Sequence, residues 1–269
     1  MVSGTTETIL TMTHASIFSG IGGFDLAAEW AGWTNAFNCE IDPFCCKVLK
    51  YHFPYAEQYE DIKTTDFTVW RGKIDVLTGG FPCQDASLAK RHGGGQRGIN
   101  GSRTGLVVEM FRAIGEIKPK FVVSENVSNL LRTNGGRDFL FILNRLASMG
   151  YFSEWRVTSA SEVGSPHRRP RLYMVSYSGS IRLPEGESFF SNVLSPVRTV
   201  CRVLAGATFK IGIPWEDELP ICLDDYGIPS GLVGTRTEKI KHSFHAPGNA
   251  IVPQVAYQIF KTIEEYEKQ

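Results

Sequence analysis

Short apolar runs alternate with segments whose apolar positions recur every three or four residues through the first two-thirds of the chain. The runs Ala15–Phe18, Thr34–Cys39, Val76–Thr78, Phe121–Ser124, Tyr151–Val157 and Arg171–Ser176 predict strands. Between them, Gly23–Ala31, Pro43–Tyr51, Gly105–Ile117 and Arg137–Met149 predict helices. Such alternation predicts an α/β fold with a largely parallel sheet covered on both faces, and a ligand at the carboxyl ends of the strands. Near the other end of the chain, Gly248–Pro253 predicts a turn, and Gln254–Glu267 a helix with Val255, Ile259 and Ile263 on one face.

The rhythm breaks twice. Between Asp85 and Arg103, glycines 93, 94, 95, 98 and 101 crowd among Lys90, Arg91, Arg97 and Arg103, which predicts a basic lid able to close over a phosphate backbone. From about Ser178 to His245, prolines, glycines and isolated apolar clusters replace the strand-helix pattern. The expected organisation is therefore a main domain over 1–177, a small separate unit over 178–245, and a segment over 246–269 that returns to the main domain.

Composition narrows the class. Lys+Arg 28 balance Asp+Glu 28, so binding to nucleic acid must come from a local basic patch rather than from the field of the whole molecule. No apolar stretch approaches the ~20 residues needed to span a bilayer, and no basic-then-apolar leader opens the sequence. A soluble cytoplasmic protein with no membrane association is expected. The six cysteines (Cys39, Cys45, Cys46, Cys83, Cys201, Cys222) lack a paired metal spacing and read as reduced thiols, with no metal site expected.

Three stretches carry chemistry. Phe18-Ser19-Gly20-Ile21-Gly22-Gly23 lies between a strand and a helix, where the backbone can approach a ligand closely. Asp25 falls where the third glycine of a dinucleotide fingerprint would be, which opposes an NAD-dependent oxidoreductase. Glu40, twenty residues past Gly20 at the end of the next strand, is suited to accept hydrogen bonds from ribose hydroxyls. Phe81-Pro82-Cys83-Gln84 brings a thiol, and Ser124-Glu125-Asn126-Val127 a carboxyl, to the mouths of two strands. A thiolate can attack an electron-poor ring carbon while the carboxyl gives a proton or hydrogen bond to the same ring.

Taken together these motifs resemble the DNA (cytosine-5) methyltransferase family, over roughly residues 14–176 and 245–262, in the manner of a compact phage- or prophage-encoded bacterial member. The resemblance implies a Rossmann-like S-adenosylmethionine-dependent methyltransferase sheet with a small target-recognition lobe. It implies S-adenosyl-L-methionine as cofactor, held by Phe18, Ser19, Gly20, Gly22, Gly23, Glu40, Ile41, Asp61, Ile62, Gly80, Pro82, Leu106, Asn249 and Ala250. Phe18 would lie beside adenine, Glu40 on the ribose and Asp61-Ile62 on the adenine amino group and ring. Cys83 would be the nucleophile toward cytosine carbon-6 and Glu125 the group facing N3 and the exocyclic amine. His167-Arg168-Arg169-Pro170-Arg171 is similar to the family's Gln-x-Arg-x-Arg motif, with His167 replacing glutamine; Arg169 would face the cytosine O2 and Arg171 support Glu125 or the lid.

Double-stranded DNA is the implied partner, contacted by Gln84, Ser87, Lys90, Arg91, Arg97, Arg103, Asn126, Val127, His167 and Arg168. The base must leave the stack to reach these groups. A monomer is expected, with a cognate restriction endonuclease as a candidate partner. The recognition stretch, only about seventy residues long, implies a short or permissive target. The alternatives are a tRNA cytosine-5 methyltransferase and a catalytically inactive DNA-binding relative. The first is opposed by the absence of the Cys-Phe-Thr of RNA-directed relatives, and the second by the intact Cys83, Glu125 and Arg169.

Overall fold

In a computed structural model, the structure describes residues 11–81, 106–165, 168–181, 190 and 251–268. Seven strands form one sheet: β1 (Thr13–Ile17), β2 (Thr34–Cys39), β3 (Glu57–Tyr59), β4 (Val76–Gly79), β5 (Phe121–Val127), β6 (Tyr151–Ser159) and β7 (Pro170–Ser178). Their spatial order is β3-β2-β1-β4-β5-β7-β6. The first five are parallel, while β7 runs antiparallel to both β5 and β6. Only a 3₁₀ turn (Ala160–Val163) stands between β6 and β7 among the described residues, whereas parallel neighbours need a long crossover.

Helix α1 (Gly23–Trp30) follows β1, and α2 (Pro43–His52) follows β2. Asp42 starts α2 by accepting the N–H groups of Phe44 and Cys45 at 2.9 and 3.0 Å, with Pro43 preset for the first helical position. Helices α3 (Leu106–Ile117) and α4 (Arg137–Ser148) pack on one face of the sheet. There Met110, Ile114 and Ile117 of α3 and Ile142 and Leu146 of α4 join Ile17, Leu77 and Val122 in one apolar cluster. The terminal helix α5 (Pro253–Glu267) packs on the other face beside α1. Val255, Ile259, Phe260 and Ile263 meet Phe24, Trp33, Val123 and Val175 there. Two polar contacts pin α5: Trp33 Nε1 donates to Glu264 at 2.8 Å, and Lys120 pairs with Glu267 at 2.8 Å and Asp75 at 3.1 Å.

Strand register aligns the site. Ile17 lies opposite both Cys39 and Gly79, and Gly79 opposite Ser124, so β2, β1 and β4 end in one row beside Ser124, from which β5 runs on. The order reverses between β1 and β4, the switch point at which such sheets bind ligands. Because β7 is antiparallel, its first residues reach the same edge: Val127 pairs with Arg171.

The expected helices and strands lie within a few residues of their observed bounds. Two differences have physical reasons. β5 runs on to Val127, since Glu125 and Asn126 pair with Tyr173 and Leu172 despite their polarity. The short polar strand β3, Glu-Gln-Tyr, pairs with β2 and had no apolar run to announce it. Of the expected recognition unit, the described residues include only 178–181 and Phe190, which is buried with α5.

Candidate active site

The turn after β1 is held in a conformation that side chains disfavour. Phe18, Gly20 and Gly22 have φ of 53°, 56° and 86°. A β-carbon added at Gly20 would meet nothing within 4 Å among the described atoms, so the glycine is needed for its φ and leaves open space beside the backbone. Gly23 is needed for close approach instead, since a β-carbon there would lie 2.9 Å from the Ile251 carbonyl oxygen.

Glu40 ties two strand ends together. Its Oε2 accepts the Gly20 N–H at 2.8 Å and its Oε1 the Asp42 N–H at 2.9 Å. Each oxygen keeps a lone pair for a further donor. Beside it Ile41 is 68% exposed, an aliphatic surface that a flat ring could cover. The Glu40 N–H donates to the Tyr59 carbonyl at 3.0 Å, which brings the Asp61-Ile62 loop alongside. Ile62 is buried, and Leu106, half-buried, opens α3. An open glycine turn, a carboxylate with spare lone pairs and an exposed aliphatic surface form a donor set that fits an adenosine moiety. Ser19 differs from expectation in detail: its hydroxyl is turned inward, bonded to Ser16 Oγ at 2.7 Å and accepting the Cys39 N–H at 3.1 Å.

Further along the row sits Glu125, 8% exposed at the mouth of β5. Burial pushes its carboxyl up to about 7, against the opposing pull of Arg171 and Arg169. Arg171 Nε pairs with Glu125 Oε1 at 3.0 Å, and Arg171 Nη1 also donates to the Pro170 carbonyl at 3.0 Å. Gly80 lies against this carboxyl, where a β-carbon would make ordinary contacts of 3.6 Å with both Glu125 Oε2 and Ile251 Cδ1. Arg169 holds a φ of 26°, left-handed backbone that a non-glycine residue adopts at a cost of about 1–3 kcal/mol.

Asn126 is buried, and its Nδ2 donates to the Phe81 carbonyl at 3.1 Å. That bond ties the mouth of β5 to the residue that follows Gly80. Val127 is half-buried and Arg168 exposed at the rim. Pro82, Cys83, Gln84, Ser87, Lys90, Arg91, Arg97, Arg103, His167, Asn249 and Ala250 lie outside the described residues.

A buried polar network beneath the β1 turn was not legible in sequence. Ser16 Oγ bonds Asp25 Oδ1 and Oδ2 at 2.9 and 3.0 Å, and through Ser19 reaches the turn itself. Burial pushes Asp25 up to about 7, opposed by the Ser16 bond. Its backbone carbonyl accepts Asn35 Nδ2 at 3.0 Å, and Asn35 Oδ1 meets His14 Nδ1 at 2.6 Å. Burial drives His14 down to about 4, a neutral ring whose Nε2 lies 2.9 Å from the Thr78 hydroxyl. Polar residues at 14, 16 and 78, inside otherwise apolar strands, were the available signal.

Residues 12–196 match the family of C-5 cytosine-specific DNA methylases. The type II methyltransferase M.PspPI of Psychrobacter sp. (strain TA137) is 41% identical over 161 residues, which are 59% of this chain and 38% of that protein. M2.BsuMI of Bacillus subtilis (strain 168) is 36% identical over 169 residues, 61% of this chain and 42% of the relative. The chain thus spans less than half the length of these relatives. A crystal structure of a proposed prophage-encoded DNA modification methyltransferase of E. coli superposes with a TM-score of 0.67 at 17% identity, covering 96% of this chain and 100% of that one. This last likeness concerns the fold.

Proposed function

The chain belongs to the C-5 cytosine-specific DNA methylase family, and from that premise we propose that it transfers a methyl group to carbon-5 of cytosine in a short sequence of double-stranded DNA, through a covalent Cys83 adduct on a flipped-out base. The observation that carries this is Glu125, a buried carboxyl pushed up to about 7 and steered by Arg171 at 3.0 Å. A carboxyl in that range is protonated in a large share of molecules near neutrality, and so can donate to the N3 of a cytosine ring.

S-adenosyl-L-methionine, when bound, supplies an electrophilic methyl group on sulfonium. The turn Phe18–Gly23, Glu40, Ile41, Asp61, Ile62, Gly80 and Leu106 would hold it, joined by Pro82, Asn249 and Ala250. The Cys83 thiolate forms a bond to carbon-6, and electron density passes to N3 and carbon-5 as Glu125 donates to N3. Arg169 would meet O2 and share the developing charge. Once carbon-5 carries the methyl group, loss of its proton to a base expels the thiolate and restores the ring. The basic residues Lys90, Arg91, Arg97 and Arg103 would neutralise phosphates around the opened site.

DNA carrying 5-fluorocytosine at the target tests this. Fluorine cannot leave as a cation, so the wild-type protein with its methyl donor should form an adduct that survives denaturing electrophoresis, and Cys83→Ser should form none. Methylation of carbon-5 without an adduct, or an adduct on Cys83→Ser, would remove Cys83 as nucleophile.

A further inference from the structure

We propose that Arg112, on the middle of α3, is the positioning residue for the adenine end of the cofactor site; this rests on the cofactor reading above. The loop after β3 carries Asp61 and Ile62. Its internal bonds give it shape: the Asp61 carbonyl accepts the N–H groups of Thr64 and Thr65 at 3.1 Å each and the Thr65 hydroxyl at 2.8 Å. None of those bonds fixes the loop to the rest of the domain.

Arg112 does. Its Nη2 donates to the Ile62 carbonyl, and its Nη1 to the Thr65 carbonyl at 3.1 Å, across sequence separations of 50 and 47 residues. Two carboxylates on the same helix hold the guanidinium in place, Glu109 at 2.8 Å and Glu116 at 2.7 Å. Glu116 then completes the grip, since its Oε2 accepts the Phe67 N–H at 3.0 Å. The guanidinium also lies over the Phe67 ring, 5.8 Å from its centroid. One arginine and one glutamate thus take both carbonyl and amide groups of a loop whose Ile62 and Phe67 side chains are buried in the core cluster.

Surface pairs at three- and four-residue spacing are common on helices and contribute little. What sets Arg112 apart is that its remaining donors go to two main-chain carbonyls, of Ile62 itself and of Thr65, in the loop assigned to adenine. Only a planar fork with five donors can serve two acids and two carbonyls together, so lysine is a poor substitute. The Ile62 peptide is held directly, which makes the orientation of Asp61, one residue earlier, depend on this side chain.

The test compares binding of S-adenosyl-L-homocysteine with that of S-inosyl-L-homocysteine, whose ring carries a carbonyl where adenine carries its amino group, by calorimetry on the full chain. Arg112→Met should weaken the adenosyl ligand about 10-fold or more and bring the ratio of the two affinities toward one. Arg112→Lys should fall between, and Glu109→Gln, which leaves both carbonyl contacts, should keep the wild-type ratio. Ile142→Val, in the buried face of α4, supplies a destabilised control that should also keep it. An unchanged ratio in Arg112→Met overturns the proposal, as does an equal loss in Ile142→Val. If the methionine variant does not fold, the same two outcomes are read from the lysine variant. A wild-type chain that binds neither ligand overturns the cofactor reading itself, and the proposal with it.

Discussion

Replacing Arg171 with glutamine should raise the proton affinity of Glu125 and carry one limb of the pH–rate profile with it. The two groups meet at 3.0 Å, with side chains 21% and 10% exposed. At a charge separation of about 4 Å and an effective dielectric of about 20, such a pair is worth about 4 kcal/mol, or roughly three pK units. Arg169 remains in the variant and water enters the vacated volume, so an upward move of about 1–2 units from the wild-type value of about 7 is expected. The assay is kcat/KM for methyl transfer to DNA across about pH 5.5–9.5. A bell-shaped profile does not reveal which group owns which limb. The diagnostic is therefore displacement: the limb near 7 should move up in Arg171→Gln while the other stays. The maximal rate should also fall, because a carboxyl of higher pKa gives up its proton less readily. Carbon-13 NMR of labelled glutamate, with Glu125→Gln for assignment, would follow the same titration directly. A limb near 7 that stays fixed or moves to lower pH would refute the reasoning.

Asp25 gives a stability signature of known sign. Burial raises its carboxyl from 3.8 to about 7, so between those values the folded state binds more protons than the unfolded one and stability falls as pH rises. Asp25→Asn should therefore gain on wild type between about pH 5 and pH 8, by about 3 kcal/mol at 1.36 kcal/mol per unit, measured by urea unfolding; a constant gap would show that Asp25 does not titrate. Gly23→Ala should destabilise by about 1–3 kcal/mol, because its new β-carbon would sit 2.9 Å from the Ile251 carbonyl oxygen and force α1 from the α5 leader. An unchanged midpoint in the same unfolding assay would mean that this contact yields freely.

Sequence disclosed most of the sheet because its strands are apolar and its helices periodic: Thr34–Cys39 has the expected bounds and α3 ends at the expected Ile117. Glu40, Asp61 and Glu125 were legible as chemistry: Glu40 and Asp61 stand just past the ends of β2 and β3, Glu125 lies within the last residues of β5, and the register makes these positions neighbours. The Asp25 network and the Arg112 clamp were not. Both depend on contacts between residues far apart in the chain, and an arginine beside two glutamates reads as a solvated helix face until the loop it grips is seen. The bond from the Asn126 amide to the Phe81 carbonyl, across 45 residues, is of the same kind.

The placement of α5 has a consequence for biosynthesis. A growing chain can pair β1 through β7 long before residues 253–267 emerge, yet the apolar surface formed by Phe24 of α1, Trp33, and Val123 and Val175 of the sheet lacks its α5 partner until they do. Nascent protein therefore spends the synthesis of some seventy further residues without the helix that buries this surface among the described residues, a state prone to association. Docking of α5 also delivers Ile251 against Gly23 and beside Gly80, so a chain cut short before this point would carry the sheet without the helix that backs it.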